Sequence, residues 1–364
     1  MLSLRKAVCR KLQNENSLTY APEEIVVTVG AKQAIFNAIL ALINPGDEVI
    51  LPTPCWVSYS EMVKLAEGKC VFVKTTPESR YKMSAEQLRQ AVTGKTKLLL
   101  LCSPNNPTGS VYSKDEFRAI AEVLRDCPDV FVIADEIYEH INYVGEHCSL
   151  ASFPEIADRV VIINGVSKAY AMTGYRLGWM ACHSLPLVKA CLKLQGQSVT
   201  HATMLAQCAA EAAYLDTPDY VAQLRHGFAE RKAVVMQMLG EIPGVTCVEE
   251  IPGVTCVEPD GAFYAFPDVS SYYGKKYQSA SSDSTNSTNL SNLTNLSNLT
   301  NLSNLTTISS SSDMVNYLLT EAHVACVAGS AFGEDKCIRL SFATDIPSIR
   351  EGIRRIAAAL SKLV

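Results

Sequence analysis

Asn164-Gly-Val-Ser-Lys-Ala-Tyr-Ala-Met-Thr-Gly-Tyr-Arg-Leu-Gly-Trp179 follows directly on an apolar run, Val160-Val-Ile-Ile163. That run has the length and β-branching of a strand buried on both faces, and it ends in a small-residue turn. The turn carries Ser167-Lys168, and Arg176 follows within the same stretch. A lysine just past a buried strand is held partly away from water, which disfavours its ammonium form, and a nearby guanidinium pushes the same way. The free amine is the nucleophile that a Schiff base with an aldehyde requires. Taken alone, Ser-Lys is more often a solvated loop lysine. The segments upstream separate the two readings.

Glu24 to Val29 has a strand pattern, and Gly30-Ala-Lys-Gln33 opens a helix reaching about Ile43. A strand, a small-residue turn and a helix N-terminus make an anion site, because free N–H groups and the helix dipole converge there. A plain β–α connection has the same pattern. Asn44-Pro-Gly-Asp47 turns into the strand Glu48-Val-Ile-Leu51, and Trp56 stands at the next helix start, as core or as a stacking platform. Further strands are read at Cys70 to Lys74 and Lys97 to Cys102, with helices at about Ala85–Val92 and Lys114–Arg125. Ser103-Pro-Asn-Asn-Pro-Thr-Gly109 then presents Asn105 and Asn106 on a loop fixed by two prolines. Phe131-Val-Ile-Ala134 is a buried strand ending in Asp135-Glu-Ile-Tyr138. A carboxylate at such a tip needs a partner, either a cationic ring nitrogen or a structural arginine.

Alternating strands and helices predict an α/β fold, a large doubly wound and mostly parallel sheet with ligands at the strands' C-terminal ends. Ala31, Asn106, Asp135 and Lys168 all lie at such ends. Leu177–Cys182 adds a strand, and helices are read at Leu185–Gln197, Ala202–Tyr214 and Asp219–Leu239. A smaller α+β unit closes the chain, with Gly261–Phe266, a helix near Met314–Ala322, Cys337-Ile-Arg-Leu-Ser-Phe342 and a last helix from about Pro347. Arg339 in that strand is half of a structural ion pair or a fork for a carboxylate. The expected division is a large domain over 1–235 and a small domain over 236–364, carrying a low-complexity insert at 279–312.

Composition narrows the classes. At 364 residues and 48% hydrophobic content, the chain can bury one large core and a smaller one. A net charge of −5 without a basic block points away from nucleic acid and anionic membranes, and no apolar run is long enough to span a bilayer. The 13 cysteines include no Cys-x-x-Cys pair and sit mostly in apolar runs, as at Cys102, Cys182 and Cys326. They read as reduced core thiols of a cytoplasmic protein, not as a disulfide frame or metal site. The six histidines show no His-x-x-x-His spacing. Met1 to Asn14 carries four basic residues and no acidic one, a pattern shared by targeting helices and ordinary surface helices, and the ordinary helix is the reading taken.

Asn105-Asn-Pro-Thr-Gly109, Asp135-Glu-Ile-Tyr138, Ser167-Lys168 with Arg176, and Arg339-Leu-Ser-Phe-Ala-Thr344 occur in this order. Together they resemble the fold-type I pyridoxal-phosphate aminotransferases, most closely the bacterial-type aspartate aminotransferases. The resemblance runs from Leu4 to the C-terminus and is interrupted near 241–313. It implies pyridoxal 5'-phosphate as cofactor, amino acid and 2-oxo acid substrates, and a homodimer. Lys168 resembles the lysine that attaches the cofactor and then shuttles the proton. Asp135 resembles the carboxylate that keeps the pyridine nitrogen protonated. Tyr138 and Asn106 would hydrogen-bond the ring oxygen, and Trp56 would lie over the ring. Gly30, Ala31 and Lys32 would hold the phosphate with Arg176. Arg339 would grip the substrate's α-carboxylate beside Asn106, and Lys32 would also meet the distal carboxylate of aspartate or glutamate, unless it only adds charge near the phosphate. Some relatives also use prephenate.

The chain departs from this pattern in four places. Gly165 stands where relatives often have a phosphate-binding serine. The family's N-terminal arm, its closing segment and a tyrosine reaching the partner's cofactor are expected to be missing before Met1, which sets the activity of this form apart from its chemistry. Glu241-Ile-Pro-Gly-Val-Thr-Cys-Val-Glu249 recurs as 250–258, where one copy could bulge from an edge strand. Ser279–Ser312 is nearly all Ser, Thr, Asn and Leu, with seven Asn-x-Ser/Thr triplets between Asn286 and Thr306. Such a segment cannot bury enough apolar surface to offset chain entropy, so a disordered, unglycosylated loop is expected. Alternatives to an aspartate-type transaminase are a prephenate-, alanine- or kynurenine-type aminotransferase, a lyase or decarboxylase of the same fold, and a non-catalytic relative.

Overall fold

The run Val160–Ile163 is fully buried and forms the middle of strand β6 (Val160–Gly165). Its side chains alternate between two apolar layers, Val160 and Ile162 on one side and Val161 and Ile163 on the other. Both faces of the sheet are therefore covered, which is why the strand shows no polar alternation. The computed structural model describes residues 1–216, 218–242, 256–278 and 305–364.

Seven strands build the main sheet: β1 (Ile25–Thr28), β2 (Glu48–Thr53), β3 (Lys69–Lys74), β4 (Thr96–Cys102), β5 (Phe131–Asp135), β6 and β7 (Gly178–Ala181). Their order is β1-β7-β6-β5-β4-β2-β3. All neighbours are parallel except β7, which runs antiparallel to both β1 and β6. On one face, α2 (Ala31–Leu42), α3 (Ser58–Leu65) and α6 (Leu185–Ser198) supply Ile35, Ile39, Val63 and Val188 to the core. On the other, α1 (Leu2–Asn16), α4 (Ala85–Ala91), α5 (Lys114–Arg125) and α7 (Met204–Asp216) supply Leu4, Val8, Leu88, Phe117, Ile120 and Ala206. The doubly wound α/β architecture is thus present. The basic N-terminal stretch is an integral helix, with Leu4, Val8, Leu12 and even Lys11 buried. No helix among the described residues is long and apolar enough to cross a membrane.

A three-stranded antiparallel sheet of order β11-β12-β8 carries the C-terminal unit, from β8 (Tyr264–Ala265), β11 (Val327–Ala328) and β12 (Ile338–Ser341). Helices α9 (Ser311–Glu321) and α10 (Ile346–Leu360) pack on it, and α10 starts at an Asp345 cap that accepts the Ser348 N–H at 2.9 Å. Helix α8 (Pro218–Gly240) runs without a break through residue 235 and packs on α10.

Within the segment Gly261–Phe266 of the small unit the strand is two residues long, because only Tyr264 and Ala265 find partners on β12. One expectation is corrected. The low-complexity stretch does not remain irregular to Ser312. Leu305–Thr307 forms β10, paired antiparallel with β9 (Lys276–Gln278), and Ile308 is fully buried. Ser310 accepts the Asp313 N–H at 3.1 Å and caps α9, so these serines and threonines are ladder and cap residues. Most of the tandem copy (243–255) and of the insert (279–304) lies outside the described residues.

Candidate active site

The C-terminal ends of the strands converge on one cavity of about 300 Å³. At its base, β1 ends at Thr28 and the chain turns through Gly30 (φ 82°), where α2 begins. Gln33 closes the turn, its side chain accepting the Val29 N–H at 2.6 Å. Two features demand glycine here. A Cβ on Gly30 would lie 2.4 Å from Arg176 Nη2, and a Cβ on Gly178 would lie 2.2 Å from the Ala31 nitrogen. Gly178 pairs with Thr28 on one side and Gly165 on the other, so β7 runs hard against the start of α2. The result is a helix N-terminus with an exposed arginine beside it. Arg176 itself is held by a 2.9 Å hydrogen bond to the Thr173 carbonyl.

Strand β5 delivers Asp135, which is 4% exposed. Tyr59 donates to its Oδ2 at 2.6 Å, and the Ile137 N–H reaches Oδ1 at 3.3 Å. Burial nevertheless pushes the Asp135 carboxyl up to about 6, with Glu136 adding to the rise and Tyr59, Ile137 and Lys168 opposing it. Lys168, on the turn after β6, has its Nζ 5.5 Å from the Phe263 ring centre and 5.7 Å from that of Tyr138. Burial is the main cause that lowers its pKa; Arg339 and Arg176 act in the same sense, and Asp135 opposes them. Tyr138 hydroxyl pairs with that of Tyr264 at 2.8 Å.

Across the cavity, β12 presents Arg339 between the rings of Tyr264 and Phe332, 4.6 and 5.0 Å from the guanidinium carbon. Its Nη1 donates to Asn106 Oδ1 at 2.9 Å, while its buried Nε has no hydrogen-bond partner. Aromatic faces hold a planar guanidinium flat and leave its edge for a carboxylate. Asn106 comes from the loop after β4, where a Cβ on Gly109 would lie 2.4 Å from Pro259. Lys32 Nζ stands 4.6 Å over the Trp56 ring.

Nine of the ten residues singled out from the sequence therefore line one cavity: Ala31, Lys32, Trp56, Asn106, Asp135, Tyr138, Lys168, Arg176 and Arg339. Gly30 is buried just behind them, against Arg176. Sequence reasoning missed Tyr59 and Tyr264. Tyr59 was detectable in principle, since it follows Trp56 by one helical turn and packs edge-on against it at 5.4 Å. Tyr264 carried no local signal beyond its strand.

This sheet, with a lysine and a carboxylate at its C-terminal edge and an arginine fork facing them from the small sheet, defines an enzyme of fold type I. The family model described as aminotransferase class I and II matches residues 1–356. The chain is 40% identical over 363 residues to the bifunctional aspartate aminotransferase and glutamate/aspartate-prephenate aminotransferase of Petunia hybrida, covering 99% of this chain and 68% of that protein. It is 39% identical to the aspartate/prephenate aminotransferase of Nitrosomonas europaea, covering 99% and 82%. The crystal structure of the aspartate aminotransferase of Rhizobium meliloti matches with a TM-score of 0.86 at 37% identity, covering 100% of this chain and 82% of that one. The chain belongs to the class I and II aminotransferases.

Proposed function

We propose that the chain transfers the amino group of aspartate or glutamate to a 2-oxo acid, with pyridoxal 5'-phosphate as cofactor. One observation carries this reading: a single cavity joins a half-buried lysine, a buried carboxylate and an arginine with an unpartnered Nε. The residues fit the cofactor. The Asp135 carboxyl, pushed up to about 6 by burial, suits a protonated ring nitrogen that would restore its ionised form. The side-chain-free turn at Gly30, the N-terminus of α2 and Arg176 suit a phosphate.

When bound, the cofactor supplies an aldehyde for covalent attachment and a ring that accepts electrons from the substrate's Cα. Lys168 would attach to it and then carry the proton from the substrate Cα, both of which need the free amine that its lowered pKa favours. Asp135 would hold the proton on the ring nitrogen. Tyr138 and Asn106 would donate to the ring oxygen, and Trp56 would cover the ring face. Gly30, Ala31 and Lys32 would hold the phosphate together with Arg176. Arg339 would bind the α-carboxylate through its free edge, with Asn106 fixing the fork, and Lys32 at the cavity wall would meet the distal carboxylate.

We further propose a cytoplasmic homodimer. Val199, just after α6, and Met204 and Leu205, at the start of α7, are exposed, as is Leu2 of the adjoining α1, with Leu205 at 82%. Water-facing apolar side chains on adjoining elements suit a subunit contact. Buried thiols such as Cys102, Cys182 and Cys337 suit a reducing compartment.

The test is an absorbance spectrum of the purified chain with pyridoxal phosphate. A band that aspartate bleaches and 2-oxoglutarate restores is the expected result. A band indifferent to every acidic amino acid would remove the substrate assignment, and its persistence in Lys168→Ala would move the attachment point elsewhere.

A further inference from the structure

Behind the cavity wall lies a buried polar assembly that the chemistry above leaves unused. Glu139 directly follows Tyr138 yet lines a different cleft. Its Oε1 accepts hydrogen bonds from Lys11 Nζ and from Asn164 Nδ2, the latter at 2.7 Å, and its Oε2 accepts from Asn16 Nδ2 at 3.0 Å. The Lys11 and Glu139 side chains are only 2% and 4% exposed. Burial alone would raise the Glu139 carboxyl, but the charges of Lys11, His140 and His147 hold it below the usual carboxylate range. Asn164 in turn accepts the Gly165 N–H at 2.7 Å.

Two charges taken out of water add little net stability, since an apolar pair of equal volume commonly does as well. An ion pair with several directional hydrogen bonds supplies fixed geometry instead. Here that geometry lies between the two turns that face the cavity. The β5–β6 ladder ends at Asp135 and Ile163, where the Glu136 N–H reaches the Ile163 carbonyl at 2.9 Å. Beyond that rung, the Asn164–Glu139 hydrogen bond joins the turn that follows Asp135 to the end of β6, just ahead of the turn holding Lys168. Lys11 ties both to α1.

We propose that Lys11, Glu139 and Asn164 form a positioning clamp that holds the Lys168 turn in register with Asp135 and Tyr138. The clamp rests on the reading of Lys168 as the cofactor lysine. Its residues do not touch the reacting atoms; they act through the turns they join.

Two variants test it. Asn164→Leu cuts the tie between the turns while leaving the Lys11–Glu139 pair intact. Lys11→Met with Glu139→Gln removes both charges together, so neither is left buried alone. In the cofactor-free chain, amide hydrogen exchange over 135–139 and 164–168 is expected to speed up by about tenfold or more in Asn164→Leu. Unchanged exchange overturns the clamp, whatever the cofactor does. In the holoenzyme, both variants are expected to lose about 10- to 100-fold in kcat with little change in KM, as small misplacements of reacting groups do. The pH midpoint of the bound cofactor's absorbance is expected to shift as well. A lowered melting temperature with kcat and that midpoint unchanged would make the assembly purely structural and overturn the proposal. Failure of the wild-type chain to take up pyridoxal phosphate would sink the reading of the site, and the exchange result would still decide the clamp.

Discussion

Asp135 gives the site a pH signature that is independent of turnover. Its carboxyl sits near 3.8 when free and is pushed up to about 6 in the fold by burial. A raised carboxyl favours folding below the free value and loses that contribution as pH climbs through the folded value. The cofactor-free chain is therefore expected to lose stability on the order of 3 kcal/mol between about pH 4 and pH 6 from this group. Asp135→Asn should flatten that segment of a urea-midpoint profile, and an unaltered slope would contradict the assignment. Arg339→Ala is expected to weaken dicarboxylate and monocarboxylate amino acids alike, by about 2 kcal/mol or more in kcat/KM, because it removes a charge-assisted fork. Lys32→Ala should weaken aspartate but not alanine; equal losses for the two would end its role in specificity. At this scale the sequence was most legible where chemistry sits at the tip of an apolar run, as at Asp135 and Lys168. Tyr59 escaped because its 2.6 Å bond to Asp135 exists only once α3 lies across the end of β5.

Among the elements, β7 decides how the site is assembled. It runs antiparallel to both of its neighbours in the main sheet, and Gly178 on it touches the first peptide of α2. Gly178→Ala would drive a methyl into the Ala31 backbone, so a loss of about 1–3 kcal/mol in stability is expected from overpacking. Cofactor affinity should fall with it, since the phosphate-side N–H groups move; a spectroscopic titration with pyridoxal phosphate measures this. The long elements were legible because burial on both faces leaves unbroken apolar runs, and α5 matches its expected range, Lys114–Arg125, at both ends. The strands β9, β10 and β11 were not. Each is two or three residues long, and β9 finds β10 only across a stretch of chain that carries no apolar alternation.

For the molecule as a whole, the exposed Leu205 at the start of α7 leads to a simple test. Leu205→Glu is expected to shift a homodimer toward monomer in sedimentation, because a desolvated carboxylate in a contact is costly; an unaltered profile would place any dimer contact elsewhere. The resemblance in sequence reached most of the cavity because most of its motifs lie at strand tips on one edge of the main sheet. It did not reach the Lys11–Glu139 pair, whose partners lie on α1 and beyond β5 with no motif linking them. The pairing of β9 with β10 has a practical meaning. Gln278 and Leu305 are opposite one another on a single rung, and neither strand lines the catalytic cavity. A tight turn could join them directly, so replacing 279–304 with Asn-Gly should leave melting temperature and cofactor uptake unchanged. By the same geometry a whole guest domain whose own termini lie close together could be spliced there, making this rung a natural port for a fluorescent reporter carried by a working enzyme.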